Sequence, residues 1–275
     1  MSTVRQPAVS GLFYPNLRVA LARSVDELVL RAASKPVRGR LHGIIAPHAG
    51  YVYSGGTAAV AYKLLKDKSY DSVIIIGPSH REYFDGVSIC AGDAFETPLG
   101  AVGIDHELRD LLVQEWPGIS VTETGHKTEH SIEVQLPFLQ RLFKSFSFVP
   151  IVMGDQRSEH CDRLAEAVSR ACAAKHVLLI ASSDLSHYHP YKTAVELDRQ
   201  VLEEIERFDA DGLIQKLEAN EVEACGGGPI VTVMKASRQL GANSSQVLHY
   251  CNSGDVSGEK DAVVGYVSAA LFQEE

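Results

Sequence analysis

The chain has 275 residues, 45% of them hydrophobic and 22% charged, with a net charge of −9. A chain of this length and balance buries roughly three quarters of its unfolded surface, which excludes the disordered, collagenous and membrane-spanning classes. The acidic excess comes with no basic run to track a phosphate backbone, so nucleic acid is not an expected partner.

In chain order, Val- and Ile-rich runs alternate with helical patterns. Residues 42–46 read as a buried strand, 54–66 as a helix, 72–77 as a strand, and 105–115 and 130–143 as helices. Residues 147–153 read as a strand, 158–173 as a helix and 176–181 as a strand. Helices are expected over 193–207 and 210–219, and a third after the glycines at 226–228. Strands near 245–251 and 261–271 close the chain. This alternation predicts an α/β fold: one domain over residues 1–275, with a central, largely parallel or mixed sheet and helices on both faces. No linker, charge block or fixed-period repeat divides it.

The longest apolar stretches are strand-sized, and residues 1–6 lack the apolar core of a signal peptide, so a cytoplasmic protein with no membrane association is expected. The five cysteines are Cys90, Cys161, Cys172, Cys225 and Cys251. An odd number without CxxC spacing argues against a disulfide framework or a zinc knuckle.

Three strands run into polar turns that carry a histidine: Pro47-His48, Gly77-Pro78-Ser79-His80 and Ser182-Ser183-Asp184-Leu185-Ser186-His187. His48 and His80 flank a single helix, as in a βαβ unit, which places both at carboxyl ends of parallel strands. Neighbouring strands lie about 4.8 Å apart, so two such imidazoles can share one ion. A single histidine in such a turn is ordinarily a cap or a surface group; three in equivalent places point to a site. His189 could replace His187, and Asp184 either orients an imidazole or holds an Asx turn. Gly50, Gly55 and Gly56 are expected to leave ligand room above the first turn.

His126, His130 and Glu133 form a second cluster, a candidate pocket wall if a helix presents His130 and Glu133 on adjacent turns; alternatively Thr128 or Glu129 simply starts that helix. Cys225 precedes Gly226-Gly227-Gly228, where free N–H groups and the helix dipole would favour thiolate; otherwise it is a small residue chosen for space. Ser183 or Ser186 with His187 and Asp184 offers a weaker hydrolase arrangement, since one loop rarely aligns all three.

The chain resembles the Memo family, named for mediator of ErbB2-driven cell motility. RQPAVSGLFYP at 5–15, APHAGYVYSG at 46–55, GPSH at 77–80, ExPLG at 96–100, EHSIEVQLPFL at 129–139 and SSDLSH at 182–187 carry the resemblance. It implies a fold similar to that of class III extradiol ring-cleaving dioxygenases, with His48 and His80 as metal ligands. Cys225 matches the family cysteine that stands where those dioxygenases have a glutamate, and His187 matches their catalytic histidine. The resemblance further implies iron(II), with copper and zinc as metals that thiolate also suits. It implies a small-molecule ligand, and an AMMECR-type protein and a radical-SAM protein as partners. Two functions follow: an iron-dependent redox enzyme acting on a small molecule, or a non-enzymatic metal-binding or peptide-binding adaptor with a vestigial pocket.

Overall fold

β-Branched side chains pack well on a pleated surface, and the Val- and Ile-rich runs of this chain are strands. The structure, a computed structural model, describes residues 3–274. Its strands are β1 (Val4–Arg5), β2 (Arg40–Ala46), β3 (Ser72–Pro78), β4 (Val87–Cys90), β5 (Ala94–Thr97), β6 (Gly100–Gly103), β7 (Ile119–Thr122), β8 (Phe148–Met153), β9 (Val177–Ser182), β10 (Asp184–His189), β11 (Ser244–Asn252) and β12 (Val263–Gln273). Its α-helices are α1 (Arg18–Arg31), α2 (Tyr51–Tyr62), α3 (His106–Glu115), α4 (Leu136–Leu142), α5 (Ser158–Ala171), α6 (Tyr191–Glu206), α7 (Ala210–Glu218), α8 (Gly227–Gln239) and α9 (Ser253–Ser257).

The large sheet is mixed. Its centre is four parallel strands in the order β2-β9-β3-β8, extended antiparallel by β4, which pairs with β7. On the other flank β12 runs antiparallel to β2 and β11. β10 pairs with the first half of β12, taking up the place that β2 leaves along it. A small second sheet joins β1, β5 and β6.

Side chains alternate across the sheet as the pleat requires. Ile74, Ile76, Leu179 and Ala181 face a core shared with α3, α5, α6, α7 and α8. Val73, Ile75, Leu178 and Ile180 face the other core, with α1, α2 and α4. Helices on both faces and a largely parallel centre are the architecture expected. Among the described residues no helix is long and apolar enough to cross a membrane.

Three expectations change. His48 and His80 do not leave neighbouring strands: β9 lies between β2 and β3. The helix expected over 130–143 starts only at Leu136, after a 3-10 turn at Glu133–Gln135, because Pro137 has no N–H and is tolerated only in a first turn. The third histidine is not in a turn, since Asp184–His189 forms β10, with register shifts around His187. Helix α1 and strands β4 to β7 also went unread. The four strands have only four residues each, too few to set an alternation apart.

Candidate metal centre

The carboxyl ends of the parallel strands gather the chemistry. Immediately after β2, His48 is buried at 2% exposure. Its Nδ1 lies 2.9 Å from Ser182 Oγ at the end of β9. That hydroxyl donates to the Ser131 carbonyl at 2.6 Å, so it accepts from His48, whose Nδ1 therefore carries the proton. Gln135 Nε2 also donates to Ser182 Oγ and to the Pro47 carbonyl, while Gln135 Oε1 accepts from Tyr62. This buried chain of hydrogen bonds turns the His48 Nε2 lone pair towards Cys225 Sγ, 3.2 Å away. Burial, reinforced by His80 and His130, holds the His48 imidazole well below its usual range, so it is neutral and ready to ligate.

His80 follows β3 and is the exposed member of the group. The carboxylate of Glu129 fixes it twice, accepting its backbone N–H at 2.6 Å and standing 3.0 Å from its Nδ1. This carboxylate and histidine pair leaves Nε2 for a ligand, the usual way a protein orients a metal-binding imidazole. Burial alone would raise the Glu129 carboxyl. Hydrogen bonds and charge from His80, with His130 beside it, instead hold it well below the usual range. His130 stacks on His80 at 4.7 Å between centroids and meets His48 edge-on at 5.5 Å, with Phe13 packed against its far side.

His48, His80 and Cys225 each offer a ligand atom, and these three atoms lie within 4.8 Å of one another. Two imidazole nitrogens and one sulfur at that spacing fit a single low-valent or divalent ion such as iron(II), copper(I) or zinc. His80, Glu129 and His130 form a second group at the same spacing, sharing His80.

The expectation about Cys225 thiolate is overturned. The N–H groups at the entrance of α8 are used elsewhere: Gly226 donates to Ser183 Oγ and Gly228 to Gln156 Oε1. The sulfur receives the Asp184 N–H at 3.3 Å, with the Ser183 side chain also beside it, and no N–H of the helix entrance. Burial, with the nearby Asp184 carboxyl, therefore pushes the Cys225 thiol up, and only a bound cation would draw off its proton.

Asp184 does not orient an imidazole. Its Oδ1 accepts the backbone N–H of His48 at 2.8 Å, which ties the His48 loop to the start of β10. Burial raises its carboxyl to about 7. His187 donates from Nδ1 to the Leu185 carbonyl at 2.8 Å, leaving Nε2 as a free acceptor; burial lowers its pKa. With Cys225, His187 borders a cavity of about 530 Å³ walled by Ile214, Leu217, Val222 and Glu223. Asp198 accepts the Ser186 N–H at 2.9 Å and the Tyr250 hydroxyl at 2.8 Å, and so pins β10 to α6.

The remaining candidates are placed elsewhere. His126 is buried against Ser88. Glu133 is fully buried and accepts from Arg5, Tyr14 and the N–H groups of Ala8 and Val9, so it is a structural anchor and not a pocket wall. His189 pairs with Glu223 at 2.9 Å on the surface. Of the second cluster only His130 reaches the centre. The hydrolase arrangement is not assembled: Ser183 Oγ donates to the Asp184 carbonyl, and His187 bonds a carbonyl instead of a carboxylate. Gly55 serves helix packing, since a Cβ there would lie 2.9 Å from Leu28 Cδ1, whereas Gly56 does face open space. Glu129, Gln135 and Ser182 went unread as supports. A carboxylate directly beside His130 was the signal for the first.

Residues 5–270 match the family described as Memo-like protein. The chain belongs to the Memo family. A MEMO1 family protein of Methanosarcina mazei is 41% identical over 98% of this chain and 99% of its own length. One from Sulfolobus acidocaldarius is 40% identical over 96% and 98%. Among solved structures, the uncharacterized protein JW3007 of Escherichia coli K12 superposes with a TM-score of 0.57 at 14% identity. It covers 84% of this chain and 100% of that one, a likeness of fold alone. The family agrees with the Memo-like reading of the motifs, and the likeness of fold agrees with the α/β architecture. In this Memo chain, GPSH and EHS, separate motifs in sequence, meet as the His80 and Glu129 pair.

Proposed function

We propose that this Memo protein binds one metal ion through His48 Nε2, His80 Nε2 and Cys225 Sγ, and that it is an iron-dependent redox enzyme acting on a small molecule. The observation that carries the reading is the convergence of the three ligand atoms within 4.8 Å, both imidazoles having Nδ1 tied to a partner. Iron(II) held there would supply one-electron chemistry. The chain's own groups do the rest. The cavity beside Cys225 admits a molecule of modest size between Ile214, Leu217 and Val222 and the polar groups of Gln156, Arg157 and Glu223, and His187 Nε2 can take a proton from a ligand seated against it.

One observation favours a second reading, a metal-binding protein without turnover. The third ligand is a thiol, a softer donor than a carboxylate, and it also suits copper(I) or zinc. Metal analysis of protein purified without oxygen, followed by a screen of catechols and related diols, tests both. Iron with turnover supports the enzyme, and copper or zinc without turnover supports the second reading. Protein that takes up no metal under any loading condition defeats both.

A further inference from the structure

Residues 5–14 supply no ligand, yet they hold the segment that orients one. Arg5 is buried at 6% exposure, with its guanidinium 4.8 Å above the Phe95 ring. Its Nε donates to the His126 carbonyl at 3.0 Å, one terminal nitrogen donates to the Glu129 carbonyl, and the other pairs with Glu133. The three acceptors span residues 126–133, a stretch that belongs to no strand and reaches a 3-10 turn only at Glu133. This is the stretch that carries Glu129, the carboxylate set against His80.

We propose that Arg5 is a positioning residue for the metal centre. Its planar fork clamps residues 126–133 by two carbonyls and a carboxylate, and so fixes where Glu129 meets His80 and where His80 Nε2 points. The inference rests on the reading of His48, His80 and Cys225 as ligands. Only a guanidinium fits: it presents donors in a rigid fork, whereas a lysine ammonium is a single point that can stay with Glu133 but cannot also reach both carbonyls in the same plane.

The test uses the full chain loaded with cobalt(II), whose spectrum reports thiolate and imidazole ligands separately. Arg5→Lys keeps a charge against Glu133. Arg5→Gln/Glu133→Gln, which leaves no charge buried alone, runs beside it as the second variant. Each should fold and keep the Cys225 charge-transfer band, while binding cobalt(II) about tenfold more weakly, at the low end for loss of a group that supports a ligand. Adding Glu129→Gln to Arg5→Lys should cost no more than Glu129→Gln alone, because both act through one carboxylate. Leu112→Ala, which softens the core with α3, should leave cobalt(II) affinity unchanged. Wild-type affinity in both Arg5 variants, additive losses in the double variant, or an equal loss in Leu112→Ala would each overturn the proposal. If the wild type itself binds no cobalt(II), the metal reading fails first, a result visible before any substitution.

Discussion

His80 Nδ1 stands 3.0 Å from Glu129 Oε1 while Glu129 Oε2 accepts the His80 backbone N–H at 2.6 Å, so a single carboxylate sets both the ring and the main chain of one ligand. Glu129 also accepts the N–H groups of His130 and Ser131, each at 2.8 Å.

Glu129→Gln removes the charge and places an NH2 group where one of these donors points. Zinc affinity should fall about 10- to 100-fold with the fold retained. Competition against a chromogenic chelator measures it, and affinity equal to wild type would show that His80 does not depend on Glu129.

Metal uptake should release a proton from Cys225. Burial keeps this thiol protonated at neutral pH, and a cation must displace the proton. Calorimetry at pH 8 in buffers of different ionisation enthalpy should report about one proton released per zinc in the wild type and none in Cys225→Ser. Alkylation of Cys225 in metal-free protein should be slow at pH 7.5, by mass-spectrometric mapping. Rapid labelling would mean the sulfur is more ionised than its surroundings imply.

Asp184 should make the metal-free protein's stability depend on pH. Its folded pKa, raised by burial to about 7, lies above the unfolded value, so its contribution is full below pH 4 and is lost as pH rises through 7. Asp184→Asn keeps an acceptor for the His48 N–H without titrating. Its melting temperature should therefore gain on wild type as pH rises from 5 to 8, and parallel curves would refute the assignment.

His187→Ala should keep wild-type metal content, because Nδ1 is committed to the Leu185 carbonyl and the ring is no member of the ligand group. Any diol turnover found for the wild type should be lost. Loss of metal, by elemental analysis, would make His187 a ligand instead.

The strands bearing His48 and His80 were legible because fully buried parallel strands are continuous apolar runs. Ile74, Ile75 and Ile76 are fully buried and divide between the two cores. Strand order was not legible, because chain order gives no hint that β9, formed some hundred residues later, lies between β2 and β3. The two histidines still meet, with ring centroids 5.0 Å apart, because their loops reach over the end of β9. Glu133 shows the opposite failure. Its spacing from His130 suited a helix surface, but Arg5, Tyr14 and two backbone N–H groups, all distant in sequence, draw it inward. The ionisation of Cys225 was misjudged for a related reason: a helix entrance attracts anions only where its N–H groups are free.

Strand β12 is flanked by β11 along one side and by β2 and β10 in succession along the other. Among the described residues β10 and β11 pair with no strand but β12, and one side of β2 stays open until residues 263–273 leave the ribosome. Three rows of unsatisfied N–H and C=O groups thus wait on β12. A product lacking β12 would present adhesive edges to its neighbours. The sheet flank beside β2 therefore depends on β12, a strand that carries none of the histidine motifs.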